Sequence, residues 1–299
     1  LLGIDSGDVI VDDADRANLR IVDHRNLHDR ESALVSLVSG GNKTIVYVTS
    51  RQQSIEVVRL LRHRLPDLAG RIAFYNAGLP RDVRGRVESA FRAGDLACIV
   101  STSAFGEGVN LPDVRDVVLY TLPFGRVEFN QMSGRAGRDG LAACVHLLFG
   151  GRDVHLNEKI LAAGAPARSD LVALWRALVS LSRAAHGAFA LDVEQLVAMA
   201  AQCDPTHPLD PSEVESGLAV FAELGFLSVD GFGDSRRVRM APSPAHMDLE
   251  RSVRYLEGLQ GRDEFADFCD WVLHCPQEEL LAHVTRPIAP SFGAVVGKV

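Results

Sequence analysis

Five short apolar, β-prone runs recur through the first half of this 299-residue chain, at residues 44–49, 71–75, 97–101, 116–120 and 144–149. Helical periodicity fills most of the intervals between them. Residues 29–38 carry it up to Gly40-Gly41, and Ile55, Val58, Leu61 and Leu65 stripe a second segment that Pro66 helps to end. Val83, Val87 and Phe91 stripe a third, closed by Gly94. Continuous apolar runs of four to eight residues fit strands buried on both faces, and the longer stripes fit amphipathic helices. Strand and helix alternating over short connectors predict an α/β domain with a doubly wound parallel sheet. Ligands of such sheets sit at the carboxyl ends of the strands. Three segments follow predicted strand ends and so share one rim: Ser50-Arg51, Asn76-Ala77-Gly78 and the stretch 101–110.

The run 131–140, Gln-Met-Ser-Gly-Arg-Ala-Gly-Arg-Asp-Gly, is the most specific stretch of the chain. Arg135 and Arg138 are three residues apart and share a face if the segment is helical. Gly is a poor helix former, so Gly134 and Gly137 point to close approach of another surface. Guanidinium forks match phosphate oxygens, and Gln131 adds an amide one turn back. Alone, an Arg-x-x-Arg pair is a solvated helix face. The glycines and the upstream run 99–112 (Ile-Val-Ser-Thr-Ser-Ala-Phe-Gly-Glu-Gly-Val-Asn-Leu-Pro) shift the reading toward an anion site, because the upstream run breaks from a strand into a Gly-rich loop with exposed N–H groups.

Together with Tyr75-Asn76-Ala77-Gly78-Leu79, these segments resemble the second motor lobe of superfamily 2 helicases, the RecQ group most closely. They correspond in order to that family's nucleic-acid-contact loop, motif V and motif VI. The resemblance covers residues 16–150 and implies a RecA-like lobe. It departs from the family at Asn76, where His is usual, and at Glu107, where a Met-like residue is typical. The four-Cys zinc module that usually follows motif VI in RecQ proteins is not recognisable here. No G-x-x-x-x-G-K-[ST] loop occurs, and Gly41-Asn42-Lys43-Thr44 is only a superficial echo of one. Residues 1–15 read as a remnant of the first lobe, and the chain as cut from a longer protein.

Hydrophobic content of 47% is ample for packed cores, and no run is long and apolar enough to suggest a membrane span. Net charge is 31 − 39 = −8, unhelpful for a nucleic-acid binder until its distribution is read. Residues 51–92 hold nine Arg against four acids, whereas 245–285 hold three Arg against nine. Local potential governs phosphate binding, so the first zone permits nucleic-acid contact. Five scattered cysteines without framework spacing fit a reducing, cytoplasmic setting, with Cys98 and Cys144 expected as buried thiols. Neither Cys203 with His207 nor Cys269 with His274 and Cys275 fits a zinc spacing, so no metal site is expected.

Beyond Pro166 the pattern becomes helical. Residues 171–184, 193–201 and 213–224 predict three helices, and 226–232 with 237–240 predict a hairpin. Three helices and a hairpin suggest a winged-helix-like domain over 166–245. Ser212 with Glu215 reads as the capping box of the third helix. That helix holds Glu213, Glu215 and Glu223 and no Lys or Arg, which argues for packing or partner docking over base reading. Arg236, Arg237 and Arg239 allow the wing a backbone contact, though a basic hairpin is usually just solvated. Residues 246–299 read as an acidic helical tail, a candidate protein-docking part, ending in a linker.

The resemblance implies the C-terminal part of an ATP-dependent DNA helicase of repair or recombination. ATP and Mg2+ would be held mainly by the first motor lobe, so this part alone should be inactive. Arg138 is then the arginine finger, with Arg135 and Gln131 orienting phosphates. Gly106, Glu107, Gly108 and Asn110 would line the nucleotide side. Ser50, Arg51, Gly78, Leu79, Thr102 and Ser103 would track single-stranded or junction DNA. Alternatives are an RNA or nucleoprotein remodelling motor, a helicase module fused to a RecJ-like single-strand exonuclease, and a non-enzymatic binding module on a degenerate lobe.

Overall fold

The β-branched run at Thr44 becomes the middle of a sheet rather than its edge. The computed structural model describes residues 16–105, 111–203, 209–241 and 248–285. In chain order, the first elements are β1 (Leu19–Asp23), α1 (Arg30–Ser39), β2 (Thr44–Tyr47), α2 (Arg51–Arg64), β3 (Ile72–Tyr75), α3 (Arg81–Ala93), β4 (Cys98–Ser101), β5 (Asp116–Leu119), α4 (Arg126–Ser133) and β6 (Ala143–Leu147). The strands form one parallel sheet in the order β1-β6-β5-β2-β4-β3. The α/β class and five of the six strands follow the sequence expectation. β1 was not expected: Leu-Arg-Ile-Val-Asp alternates weakly, as befits an edge strand.

Side-chain alternation explains why both faces are covered. Val46, Val100 and Val118 pack with Leu34 and Val38 of α1 and with Val58 and Leu61 of α2. Ile45, Ile99 and Val117 point the other way and are equally buried. Each such side chain is worth about 1.5–3 kcal/mol on burial. Helix entries are fixed by side-chain caps: the Asp29 carboxylate accepts from Ser32 N at 2.9 Å and Ser50 Oγ from Gln53 N at 3.1 Å.

Among the described residues the chain divides into two compact units, 16–154 with 268–285 and, separately, 155–267. The predicted helix over 248–284 is two helices, α9 (Val253–His274) and α10 (Gln277–Thr285), because Pro276 cannot continue the first. Residues 268–285 pack onto the sheet unit. Phe129 of α4 is fully buried, with ring centroids 5.8 Å from Trp271 and 6.4 Å from Phe268. The Arg126 guanidinium lies 3.9 Å over the Trp271 ring. Arg25 donates to the carbonyls of Val272 and Cys275, and Gln277 donates to Ile21 O.

His283 sits in this seam, 3.1 Å from Asn130 Nδ2 and edge-on to Trp271. Burial, and then the Arg126 charge, hold its imidazole below the ordinary range, against a smaller pull from Glu279. The unfolded chain therefore binds the proton more readily than the folded one. Stability contributed here is complete above the unfolded pKa, near 6.5, and is lost as pH falls through that value to the depressed folded one. Thermal melts between pH 7 and 5 should show a decline that His283→Gln makes shallower; an unchanged slope would remove His283 as a source.

The second unit contains most of α5 (Gly151–Gly164), then α6 (Arg168–Ala184), α7 (Val193–Cys203) and α8 (Pro211–Glu223), with strands β7 (Phe189–Ala190), β8 (Leu227–Asp230) and β9 (Arg237–Met240). The strands form an antiparallel sheet in the order β7-β9-β8, which adds a short strand to the expected hairpin. Leu174, Leu178, Leu196, Leu218, Phe221 and Val238 are among its core residues. The α8 capping box is displaced from the expected position. Asp210, not Ser212, caps the helix, and Glu213 returns the bond to Asp210 N at 2.8 Å. The α8 acids are structural: Glu215 holds Arg236 in a two-bond pair at 2.6 and 2.9 Å, and Glu223 accepts from Ser252 Oγ and Val253 N.

Candidate functional site

Strands β2, β4 and β3 are neighbours whose last residues are in register, Tyr47 beside Ser101 and Ser101 beside Tyr75. The loops that follow them therefore emerge side by side, as the rim argument requires. Asn76 organises the β3 loop. It is buried, donates to Ser54 Oγ at 3.2 Å and accepts from Gly78 N at 3.0 Å, while its carbonyl accepts from Leu79 N. A Cβ on Gly78 would stand 3.1 Å from Asn76 Oδ1 and 3.3 Å from an Arg51 Nη1, so Arg51 and Gly78 are in direct contact.

The other rim residues divide. Ser50 spends its hydroxyl on capping α2. Leu79 is half-buried in its turn. The Thr102 carbonyl accepts from Ser101 Oγ and from Phe105 N. Ser103 is exposed and shares a shallow pocket with Tyr47, Thr49, Thr121 and Glu128. Gly106, Glu107, Gly108 and Asn110 lie outside the described residues.

The arginine pair is not on a helix. α4 ends at Ser133, and Gly134 caps it with its N–H on Asn130 O at 2.8 Å. The chain then runs through successive tight turns, with Arg135 N on Met132 O and Ala136 N on Ser133 O. Gly137 turns the chain away from any further helical pattern. It has φ +53°, and its N–H leaves the helical pattern for Val114 O at 2.8 Å. A Cβ there would fall 2.6 Å from Asn18 Nδ2 and 2.8 Å from both Ala143 Cβ and Leu141 O. The close approach read from this glycine is thus made within the same unit, by Asn18 and the residues that lead into β6. Gln131 is exposed on the last turn of α4.

The turns nevertheless gather cations. Arg138 donates from Nε to Gly134 O at 3.0 Å. Arg16, absent from the sequence reading, donates to Gly134 O at 3.2 Å and to Ala136 O. Burial, then the Arg135 and Arg16 charges, push Arg138 below the ordinary guanidinium range. Burial alone does the same to Arg16. Beside Arg135 and Arg138 is Tyr47, at the end of β2. Burial drives its phenol up to about 12, against the pull of Arg135 and Arg138, and its hydroxyl donates to Phe105 O at 3.3 Å. Arg135 lies close enough to this hydroxyl to oppose that shift. Three like charges held together cost repulsion that an anion would relieve, which is the electrostatic form of a phosphate site. Arg16 follows a segment of five Asp and Tyr47 lies inside an apolar run, so neither carried a sequence signal.

Residues 29–140 match the family model described as "Helicase conserved C-terminal domain". The mouse "Bifunctional 3'-5' exonuclease/ATP-dependent helicase WRN" is 36% identical over 118 residues, 40% of this chain and 8% of that protein. The "ATP-dependent DNA helicase RecQ" of Pasteurella multocida is 33% identical over 162 residues, 54% of this chain and 25% of that protein. Among solved structures, the Mycobacterium smegmatis helicase Lhr bound to ssDNA and AMP-PNP aligns over 75% of this chain and 32% of that one, at 20% identity and a TM-score of 0.40. The chain spans a quarter or less of the length of these curated relatives. Residues 29–140, which contain the Gly78 turn and the arginine turns, thus match the helicase conserved C-terminal domain and are similar to the corresponding part of RecQ-type ATP-dependent DNA helicases.

Proposed function

We propose that this lobe is one half of an ATP-driven DNA motor that translocates on a strand and unwinds duplex in repair or recombination. The observation that carries the reading is the cation group of Arg16 and Arg138, which share the Gly134 carbonyl, with Arg135 between them in the chain turn beside Tyr47. The fit to a triphosphate is chemical: planar guanidinium donors whose charges lie close enough to act on one another. ATP and Mg2+ bind mainly on the partner lobe, which supplies the phosphate loop this sequence lacks. When bound there, the nucleotide supplies the phosphoryl bond whose cleavage drives the motor. Arg138 is the finger that neutralises charge on the transferred group, and Arg135 and Gln131 orient phosphates. Glu107 and Asn110, with Gly106 and Gly108, line the ribose side or face the partner lobe.

DNA crosses the rim formed by Ser50, Arg51, Gly78, Leu79, Thr102 and Ser103. Backbone N–H groups, hydroxyls and one guanidinium read phosphate and not base, as a tracking motor requires. Single-strand affinity should fall with salt, by a log–log slope of about −0.7 for each phosphate neutralised. Arg51→Ala should weaken single-strand binding and flatten that slope by about one phosphate's share. Binding that does not vary between low and high salt would remove the tracking rim. Phosphate contacts serve RNA equally, so unwinding of matched DNA and RNA duplexes decides between the helicase and an RNA or nucleoprotein remodelling motor.

The remaining assignments follow the same reading. We assign 16–160 to the motor lobe, with 268–285 packed onto the same unit, and 166–245 to a winged-helix-like domain, supported by α6, α7 and α8 beside the sheet β7-β9-β8; residues 1–15, read as a first-lobe remnant, lie outside the described residues. The acidic tail over 246–299 offers a protein partner its charge. No helix among the described residues is long and apolar enough to cross a membrane. Free cysteines support a cytoplasmic site of action.

A further inference from the structure

The pairing of β5 with β6 sets Asp116 directly opposite Cys144, and His146 lies two residues further along the same face of the same strand. One ligand atom from each, a carboxylate oxygen, the thiol sulfur and a ring nitrogen, all lie within 4.8 Å of one another. We propose that Asp116, Cys144 and His146 form a binding site for a zinc-type divalent cation on the sheet face beside β1.

The donor set is specific. Thiolate, imidazole and carboxylate together suit a borderline-soft ion, whereas magnesium and calcium ask for several oxygens and no sulfur. The supporting shell is built. His146 is buried, and its Nε2 lies 2.8 Å from Asp116 Oδ1. The other oxygen of Asp116 accepts from Asn42 Nδ2 at 3.0 Å, which fixes the carboxylate plane. A metal-bound imidazole is ordinarily oriented by a carboxylate in this way. The second ring nitrogen, Nδ1, is buried and has no hydrogen-bond partner among the described residues. The ring therefore holds a polar atom that the fold withdraws from water and leaves unused, a loss that coordination would repair. Asp116 serves either as third ligand or as the group that orients the ring.

An entry path exists, because Cys144 is half-buried and not the fully buried thiol its apolar run suggested. It lies next to the edge strand, opposite Arg20. Burial and then the Asp116 charge favour its protonated form, against Arg20, so loading releases the thiol proton to solvent. Ligands at 116, 144 and 146 make no zinc spacing in sequence, since the strand pairing alone brings the first to the other two.

The test uses the 299-residue chain, stripped with a chelator and titrated with cobalt(II), then with zinc in competition. One equivalent of cobalt should bind and show a thiolate-to-metal charge-transfer band that persists in Cys203→Ser and disappears in Cys144→Ser. Zinc affinity should fall at least about tenfold in Cys144→Ser and in His146→Gln, the minimum expected from losing even an outer-shell partner. Zinc should also shield Cys144 of the unaltered chain from a thiol reagent, read by peptide mass spectrometry, which needs no variant to fold. Absence of stoichiometric uptake, a band that survives in Cys144→Ser, or full labelling of Cys144 under zinc would overturn the site. None of these readouts depends on ATP or nucleic acid.

Discussion

On the proposed reading, Arg138→Ala in a motor that also carries the ATP-binding lobe should lower ATP turnover by roughly 10³- to 10⁵-fold while ATP still binds. The phosphoryl group gathers charge as it transfers, and a guanidinium that meets it only then stabilises the transition state and not the ground state. Turnover therefore falls while the binding constant moves little. Arg138→Lys keeps the charge and loses the planar fork, so it should restore only a small part of the rate. Arg135→Ala should act differently, because Arg135 contributes to the field around both Tyr47 and Arg138. Its loss should disturb both nucleotide binding and turnover. The check is single-turnover hydrolysis beside equilibrium binding of a labelled nucleotide. Near-normal hydrolysis in Arg138→Ala would remove the finger, and lost nucleotide binding in that variant would turn Arg138 into a ground-state contact.

The α/β architecture was legible because buried parallel strands announce themselves as apolar runs, and β2 to β6 all do so. β1 did not, since an edge strand with Arg20 on one face and Asp23 at its end need not be apolar. The three rim loops were legible for a topological reason: whatever follows a strand of a parallel sheet comes out at the same edge. The arginine turns were recognised by type and misread in form. Periodicity placed Arg135 and Arg138 on a helix, but Gly137 N–H finds Val114 O, a partner 23 positions back in sequence that no local pattern reveals. Arg16 and the group of Asp116, Cys144 and His146 share that cause. Each depends on residues brought together by strand order, and single-sequence spacing carries no register. The α8 box was displaced by two positions because Asp and Ser both cap well and only the loop geometry chooses between them.

Phe129→Ala should destabilise the sheet unit by about 3–5 kcal/mol. Phe129 is fully buried on α4, and its ring meets Trp271 edge-on at 5.8 Å and Phe268 at 6.4 Å, within the range of favourable aromatic pairs. Truncation leaves a cavity between α4 and residues 268–285, whose rigid rings cannot collapse into it. A loss of this size should lower the melting temperature by roughly 10 °C in a unit of this length. The consequence reaches the arginines, since α4 leads directly into Gly134 and the turns that hold Arg135 and Arg138. Hydrogen exchange over 126–140 should therefore quicken in the variant before exchange in β2 does. A cycle with Phe268→Ala isolates the pair, with a coupling of about 0.5–1.5 kcal/mol. If Phe129→Ala cost less than about 1 kcal/mol, far below the usual price of an emptied aromatic site, residues 268–285 would not be seated on α4 in solution. The finger turns would then stand without that support.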